Sequence, residues 1–318
     1  MSAGVRLHYE LRGSPSAPAK AVLLMGAFAT LRHFDALADA LAAAGIEVLT
    51  YDHRGVGDSR TSDAAVRALP QSSALLAADA RALLEGVWPA ADSAAAGARS
   101  LHIYGASMGG MVAQRLALEL LRAPLRALPL RSLTLAMTAR GYGLARFLPL
   151  GAGFYRAVLP LALASTPAAI VDSLLAQMFT AEYLATPHAG AAGAAQGATT
   201  MGALWRARWT AEFSLWFSLA DLDATAAQAP VAARHYLTDA ELAALRDAAP
   251  PLPILVVIAE RDALIAPAAQ RALAGALRAR TLVQPDGHVG SVAGFRALCD
   301  AVAENMLRGR EEVGVERS

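Results

Sequence analysis

Leu101-His102-Ile103-Tyr104-Gly105-Ala106-Ser107-Met108-Gly109-Gly110-Met111 is the stretch on which the fold turns. Leu101 to Tyr104 reads as a short strand. Met108 to Leu121 reads as a helix with one apolar face. Between them, Ser107 sits in a turn with glycines at 105 and 109. A side chain at either glycine would collide with so sharp a turn. The pattern G-x-S-x-G between a strand and a helix pushes the serine hydroxyl out of the sheet. The helix that follows aims its N-terminus at the same point. There the backbone N–H of Met108 can stabilise a developing oxyanion. The bland reading, a glycine-rich turn with an incidental serine, explains neither the strand before it nor the helix after it.

Working outward, short apolar runs alternate with helical stretches. Strands are expected at Val5 to Leu11, Ala21 to Met25, Ile46 to Tyr51, Leu133 to Met137, Ile254 to Ala259 and Thr281 to Gln284. Helices are expected at Leu31 to Ala44, with Thr30 as N-cap and Gly45 as stop, and at Ser73 to Glu85, closed by Gly86. Later helices begin at Thr238, with Glu241 at capping-box spacing, at Pro267, and at Gly294. This βα rhythm predicts a mostly parallel sheet with helices on both faces. It breaks between about 140 and 237, a helical stretch that holds Trp205, Trp209 and Trp216, three of the 4 tryptophans. The expected organisation is a core over 1–139 and 238–308, a helical cap over 140–237 and a tail over 309–318. Pro89 to Arg99 and Ala189 to Ala198 read as loops.

Composition narrows the class. Hydrophobic residues make up 55% of the 318, which is enough for a large core, and charged residues only 17%. The net charge of +1, without a basic block, gives no reason to expect nucleic acid as a partner. Cys299 is the 1 cysteine, which excludes an intramolecular disulfide and a cysteine metal cluster; it reads as a buried, inert thiol. There is no signal-like apolar core at Met1 to Arg6 and no run long enough to span a bilayer. A cytoplasmic location is the expectation.

The elbow and its setting resemble the α/β-hydrolase fold superfamily, in its capped serine esterase and lipase-like branch. The resemblance runs from about Val5 to Leu307. A second match is Tyr51-Asp52-His53-Arg54-Gly55-Val56-Gly57-Asp58-Ser59. It is similar to the family's D-x-R-G-x-G-x-S loop, a structural element in which Asp52 and Arg54 are expected to pair. The resemblance places the cap after the sixth family strand.

It also implies the rest of a catalytic set. Ser107 needs a base to take its proton. Of the 7 histidines, His288, just after the last strand, is the expected one. His53 is a weaker candidate. Asp262, after Ile254 to Ala259, is the expected acid, in a loop similar to the family's but with Ala259 in place of glycine. Glu260 is a fallback, and Asp286 is too close to His288 in sequence for triad geometry. The loop after Ala21 to Met25 should supply the second oxyanion donor, Ala27 N–H. The family usually has His-Gly there, and here Met25 stands in place of the histidine.

The implied activity is hydrolysis of a small or lipophilic carboxylic ester through an acyl-enzyme, with no cofactor or metal. Phe28, Trp205, Trp209 and Phe213 are candidate pocket residues, with core packing as the alternative for each. A membrane-surface contact by Leu144 to Val171 lacks a clear polar face. The same triad serves amide, thioester and carbon–carbon bond hydrolysis and perhydrolysis. A non-catalytic receptor for a small ligand is the rival of another class.

Overall fold

The computed structural model describes residues 5–27, 29–59, 70–89, 99–125, 127–141, 166–188, 199–216, 227–228, 230–290 and 292–314. Strands β1 (Tyr9–Arg12), β2 (Ala19–Leu24), β3 (Ile46–Tyr51), β4 (Ser100–Ala106), β5 (Leu130–Ala136), β6 (Ile254–Ala259) and β7 (Arg280–Gln284) form a 7-stranded sheet ordered β1-β3-β2-β4-β5-β6-β7. Only β1 runs antiparallel to its neighbour. β2, β3 and β6 are buried along their whole length, as expected of strands covered on both faces.

Helices α1 (Asp35–Ala43), α2 (Ser73–Val87), α3 (Met108–Arg122), α7 (Asp239–Arg246), α8 (Pro267–Leu277) and α9 (Val292–Gly314) flank the sheet. Between β5 and β6 lie α4 (Pro167–Met178), α5 (Ala181–Ala185) and α6 (Met201–Trp216). One apolar layer joins α2, α3, α7 and α8 to one sheet face, through residues such as Leu76, Val112, Leu245 and Leu273. The other joins α1 and α9 to the opposite face, through Leu41, Val257 and Val302.

Three local expectations need correction. Thr30 caps a 3-10 turn, Leu31–Phe34, that precedes α1, and its hydroxyl makes no capping bond. The tighter turn does not present an α-helical set of free N–H groups to it. Gly86 does not close α2, which continues to Val87. Asp52 and Arg54 do not pair. The Asp52 carboxylate accepts from the N–H groups of Leu31 (2.8 Å) and Asp58 (2.9 Å), while Arg54 forms a buried ion pair with Asp79 of α2. Two backbone donors satisfy Asp52, and Asp79 satisfies the guanidinium. Gly57 has φ +54, and a Cβ there would lie 2.2 Å from Asp52 Oδ2. The Thr238–Glu241 capping box forms as expected.

Two histidines are buried neutral. Burial holds His53 down at about 4 and His235 at about 3, far below an ordinary imidazole. The unfolded chain therefore binds two protons that the fold excludes. Stability is complete above about pH 6.5 and falls as pH drops towards 4. A loss of about 3 kcal/mol is expected between pH 7 and pH 5, read from urea melts at the two values. A flat profile would contradict it. Among the described residues, no helix is long and apolar enough to cross a membrane.

Candidate active site

The elbow forms between β4 and α3. Ser107 has φ 55 and ψ −123, a conformation that costs on the order of 1–3 kcal/mol for a non-glycine residue. Its neighbours hold it there. Its N–H donates to Ala136 O on β5 (2.9 Å), and its carbonyl accepts from Gly110 N–H (3.0 Å) and the Thr138 hydroxyl (2.8 Å). The Ser107 hydroxyl makes no capping bond to α3, so helix formation does not consume it.

The glycines have measurable reasons. A Cβ on Gly105 would lie 2.4 Å from Gly109 O. One on Gly109 would lie 2.1 Å from Leu24 O and 2.4 Å from Met25 O. Gly109 thus lets α3 press against the end of β2. Gly26, in the turn after β2, lies against the serine: a Cβ there would be 3.4 Å from Ser107 Cβ and 3.9 Å from Oγ. The turn carrying Ala27 is therefore beside Ser107.

Asp262 and His288 are brought together. His288 Nδ1 donates to Asp262 Oδ2 at 2.8 Å, with side-chain exposures of 5% and 0%. Asp262 Oδ1 accepts from the N–H groups of Leu264 (2.8 Å) and Ile265 (2.9 Å), and Oδ2 also accepts from Gln270 Nε2 (2.8 Å). Both oxygens are thus doubly engaged, which suits a buried carboxylate. Glu260, the fallback, instead pairs with Arg271. Because β2, β4, β6 and β7 are parallel, the segments that carry Ala27, Ser107, Asp262 and His288 all leave the same carboxyl edge of the sheet.

Gln270 is the site residue that sequence reasoning missed. It is fully buried on the first turns of α8. Its Nε2 donates to Asp262 Oδ2 and to Ile265 O (2.7 Å), and its Oε1 accepts from Ala259 N–H (3.0 Å). It ties the end of β6 to the Asp262 loop. Gln270→Leu strips partners from all three groups and is expected to cost about 2–4 kcal/mol in a urea melt. The only sequence signal was a polar residue on the buried side of α8.

The segment between β5 and β6 adjoins the His288 loop. Phe179 has ring centroids 5.3 Å from Tyr183, 5.2 Å from Trp205 and 5.7 Å from Trp209. Val289 packs on this cluster and donates its N–H to Met178 O (2.8 Å). Trp205 and Trp209 therefore help to build a small core against the loop of His288. Phe213 lies on α6, and its side chain falls outside the description. Phe28 and Leu144 to Leu161 lie outside the described residues. A groove of about 890 Å³ between α4 and α6 is lined by Leu175, Leu184, Ala203 and the Asp172–Arg206 pair, and neither Ser107 nor His288 lines it.

Other titratable candidates are engaged elsewhere. His102 lies between Ser100 and Ser132 in the sheet, and His235 bonds Ser73 (2.9 Å). Burial pushes the Cys299 thiol up to about 11, so it stays protonated and unreactive.

The sheet order, the elbow and the loops at the carboxyl edge are those of the α/β-hydrolase fold, which this chain adopts. More narrowly, residues 15–164 match the family profile described as serine aminopeptidase, S33. The matched span includes Ser107 and ends before Asp262 and His288. Solved structures agree along nearly the whole chain. A hydrolase from Pseudomonas aeruginosa PA01 is 24% identical, with 96% of each chain covered and a TM-score of 0.66. The enol-lactonase from Burkholderia xenovorans LB400 is 23% identical, covering 96% of this chain and 98% of its own, with a TM-score of 0.66. A thermophilic esterase from Thermogutta terrifontis is 17% identical, covering 98% and 96%, with a TM-score of 0.67. At these identities the likeness establishes the fold.

Proposed function

We propose that this protein is a serine hydrolase of small or lipophilic carboxylic esters, with Ser107 as nucleophile, His288 as base and Asp262 as the acid. The observation that carries the reading is the buried Asp262–His288 hydrogen bond, on loops that leave the same sheet edge as Ser107. With Nδ1–H donated to Asp262, the His288 Nε2 lone pair is free to take a proton. Ser107 Oγ attacks the carbonyl carbon and its proton passes to His288. The N–H groups of Met108 and Ala27 hold the oxyanion. Collapse expels the alcohol, which takes the proton from His288. Water, deprotonated by His288, attacks the acyl-enzyme, and Ser107 departs with the proton. No step needs a cofactor or metal.

In this reading residues 140–237 form the cap beside the site, and Trp205 and Trp209 back its apolar wall. The esterase and enol-lactonase among its structural neighbours are consistent with an ester substrate. The serine aminopeptidase profile favours a second reading, amide hydrolysis by the same residues.

A fluorophosphonate probe tests the chemistry. Ser107 is expected to label in the folded protein and Ser107→Ala is expected not to. An unlabelled, folded wild type would sink the proposal. p-Nitrophenyl esters of increasing acyl length, run beside aminoacyl p-nitroanilides, test the substrate. Turnover is expected to rise with chain length. Equal rates along the ester series remove the lipophilic pocket, and preference for the anilides transfers the assignment to amides.

A further inference from the structure

The turn that carries Ala27 lacks the histidine usual for its family, because Met25 occupies that position. The Met25 side chain is 1% exposed and lies in the core, so it offers the turn no polar anchor. Its carbonyl is held from elsewhere. His53, in the loop after β3, bonds Met25 O through Nε2 at 3.2 Å. A carbonyl only accepts, so Nε2 must carry the proton and Nδ1 must be bare. Nδ1 is buried without a partner, which is tolerable for a bare lone pair and poor for an N–H. Burial, which holds the imidazole down at about 4, keeps the ring in this neutral, single-tautomer state. The ring is itself fixed, edge-on to Tyr51 with centroids 5.1 Å apart.

Gly109 of α3 also lies close to this carbonyl, where a Cβ would come within 2.4 Å of it, and the next residue, Gly26, packs on Ser107. The Met25–Gly26 peptide is thus clamped between His53 and the elbow. The following peptide presents the N–H of Ala27. We propose that His53 is a positioning residue for catalysis, orienting the Gly26–Ala27 peptide towards the oxyanion that forms at Ser107 by donating Nε2–H to Met25 O. The proposal rests on the serine hydrolase reading. His53 touches no reacting atom, and it takes over from a different loop the anchoring that Met25 cannot provide.

The test compares His53→Leu, which removes the donor, with His53→Gln, whose amide nitrogen reaches the Nε2 position. Active molecules are counted by fluorophosphonate labelling, so loss of folded protein does not count as loss of rate. For a p-nitrophenyl ester, His53→Leu is expected to lower kcat about tenfold or more with KM within about twofold. Inhibition by a trifluoromethyl ketone, whose hemiketal oxyanion needs the same N–H groups, should weaken in parallel. His53→Gln should recover most of both. Unchanged kcat and inhibitor affinity in His53→Leu would overturn the proposal, as would equal losses in the two variants. Should His53→Leu fail to fold, His53→Asn, whose amide stops at the Nδ1 position, replaces it as the variant expected to lose rate. Nitrogen-15 NMR of the wild type gives an independent reading: Nε2–H is expected, and an Nδ1–H tautomer overturns the proposal. An unlabelled wild type instead defeats the hydrolase reading, and with it the premise for His53, and so is distinguishable from failure of the clamp alone.

Discussion

Replacing Ser107 with alanine is expected to lower kcat for a p-nitrophenyl ester by about four to six orders of magnitude, with KM little changed. In the proposed mechanism this hydroxyl forms the covalent intermediate. His288→Ala should fall about as far, and the double variant no further, because the residues act as a unit. Asp262→Asn should lose about 10⁴-fold, since an amide facing Nδ1 no longer selects the tautomer that leaves Nε2 bare. Stability should move differently. Ser107 is held at φ 55, a conformation glycine adopts without cost. Ser107→Gly is therefore expected to be inactive yet more stable, by about 1 kcal/mol in a urea melt. Residual activity within tenfold of wild type would remove Ser107 from its role, and a destabilised Ser107→Gly would contradict the strain.

Gly109→Ala is expected to be severely damaging for a change of one methyl group. The added carbon would lie 2.1 Å from Leu24 O and 2.4 Å from Met25 O. Both obstacles are backbone, so no rotamer change relieves the clash. Either α3 lifts from β2 or the turn after β2 moves. A loss of about 4–5 kcal/mol is expected, or failure to fold. Surviving protein should also lose kcat, because the displaced turn carries Ala27. Gly275→Ala is the control. Nothing lies within 4 Å of its Cβ on α8, so it is expected to gain up to about 1 kcal/mol from helix propensity alone. Equal melts for the two variants would show that the close approach at Gly109 is not what requires glycine.

The contrast between these glycines shows how the molecule could be read. Gly109 was recognisable because its requirement is written locally, in a strand, a five-residue turn and a helix. The same holds for the capping box at Thr238, and for Asp262, which follows an obvious strand and precedes Pro267. Asp52 and Arg54 misled for the converse reason. Opposite charges two residues apart look like a pair, yet the backbone N–H groups of Leu31 and Asp58 reach Asp52 first, and Asp79 arrives from α2 to take Arg54. Gln270 was invisible because its purpose exists only once α8 packs against the end of β6. The tryptophans of α6 could be assigned to pocket or core on equal grounds. Packing places Trp205 and Trp209 in a cluster with Phe179, against the loop of His288.

Read as a string, this chain already declares a mostly parallel α/β sheet with a serine at its elbow, whereas the roles proposed for Asp262 and His288 rest on the family resemblance. The sheet and the elbow depend on periodicity and turn chemistry within a few residues, which side-chain geometry dictates wherever the segment is placed. Which groups meet across the sheet edge was decided by folding alone. The Asp262–His288 bond joins residues 26 apart, and His53 reaches a carbonyl 28 residues away. Such contacts follow from strand order and helix packing. These are set by burial of the whole apolar surface at once, and so by no segment separately.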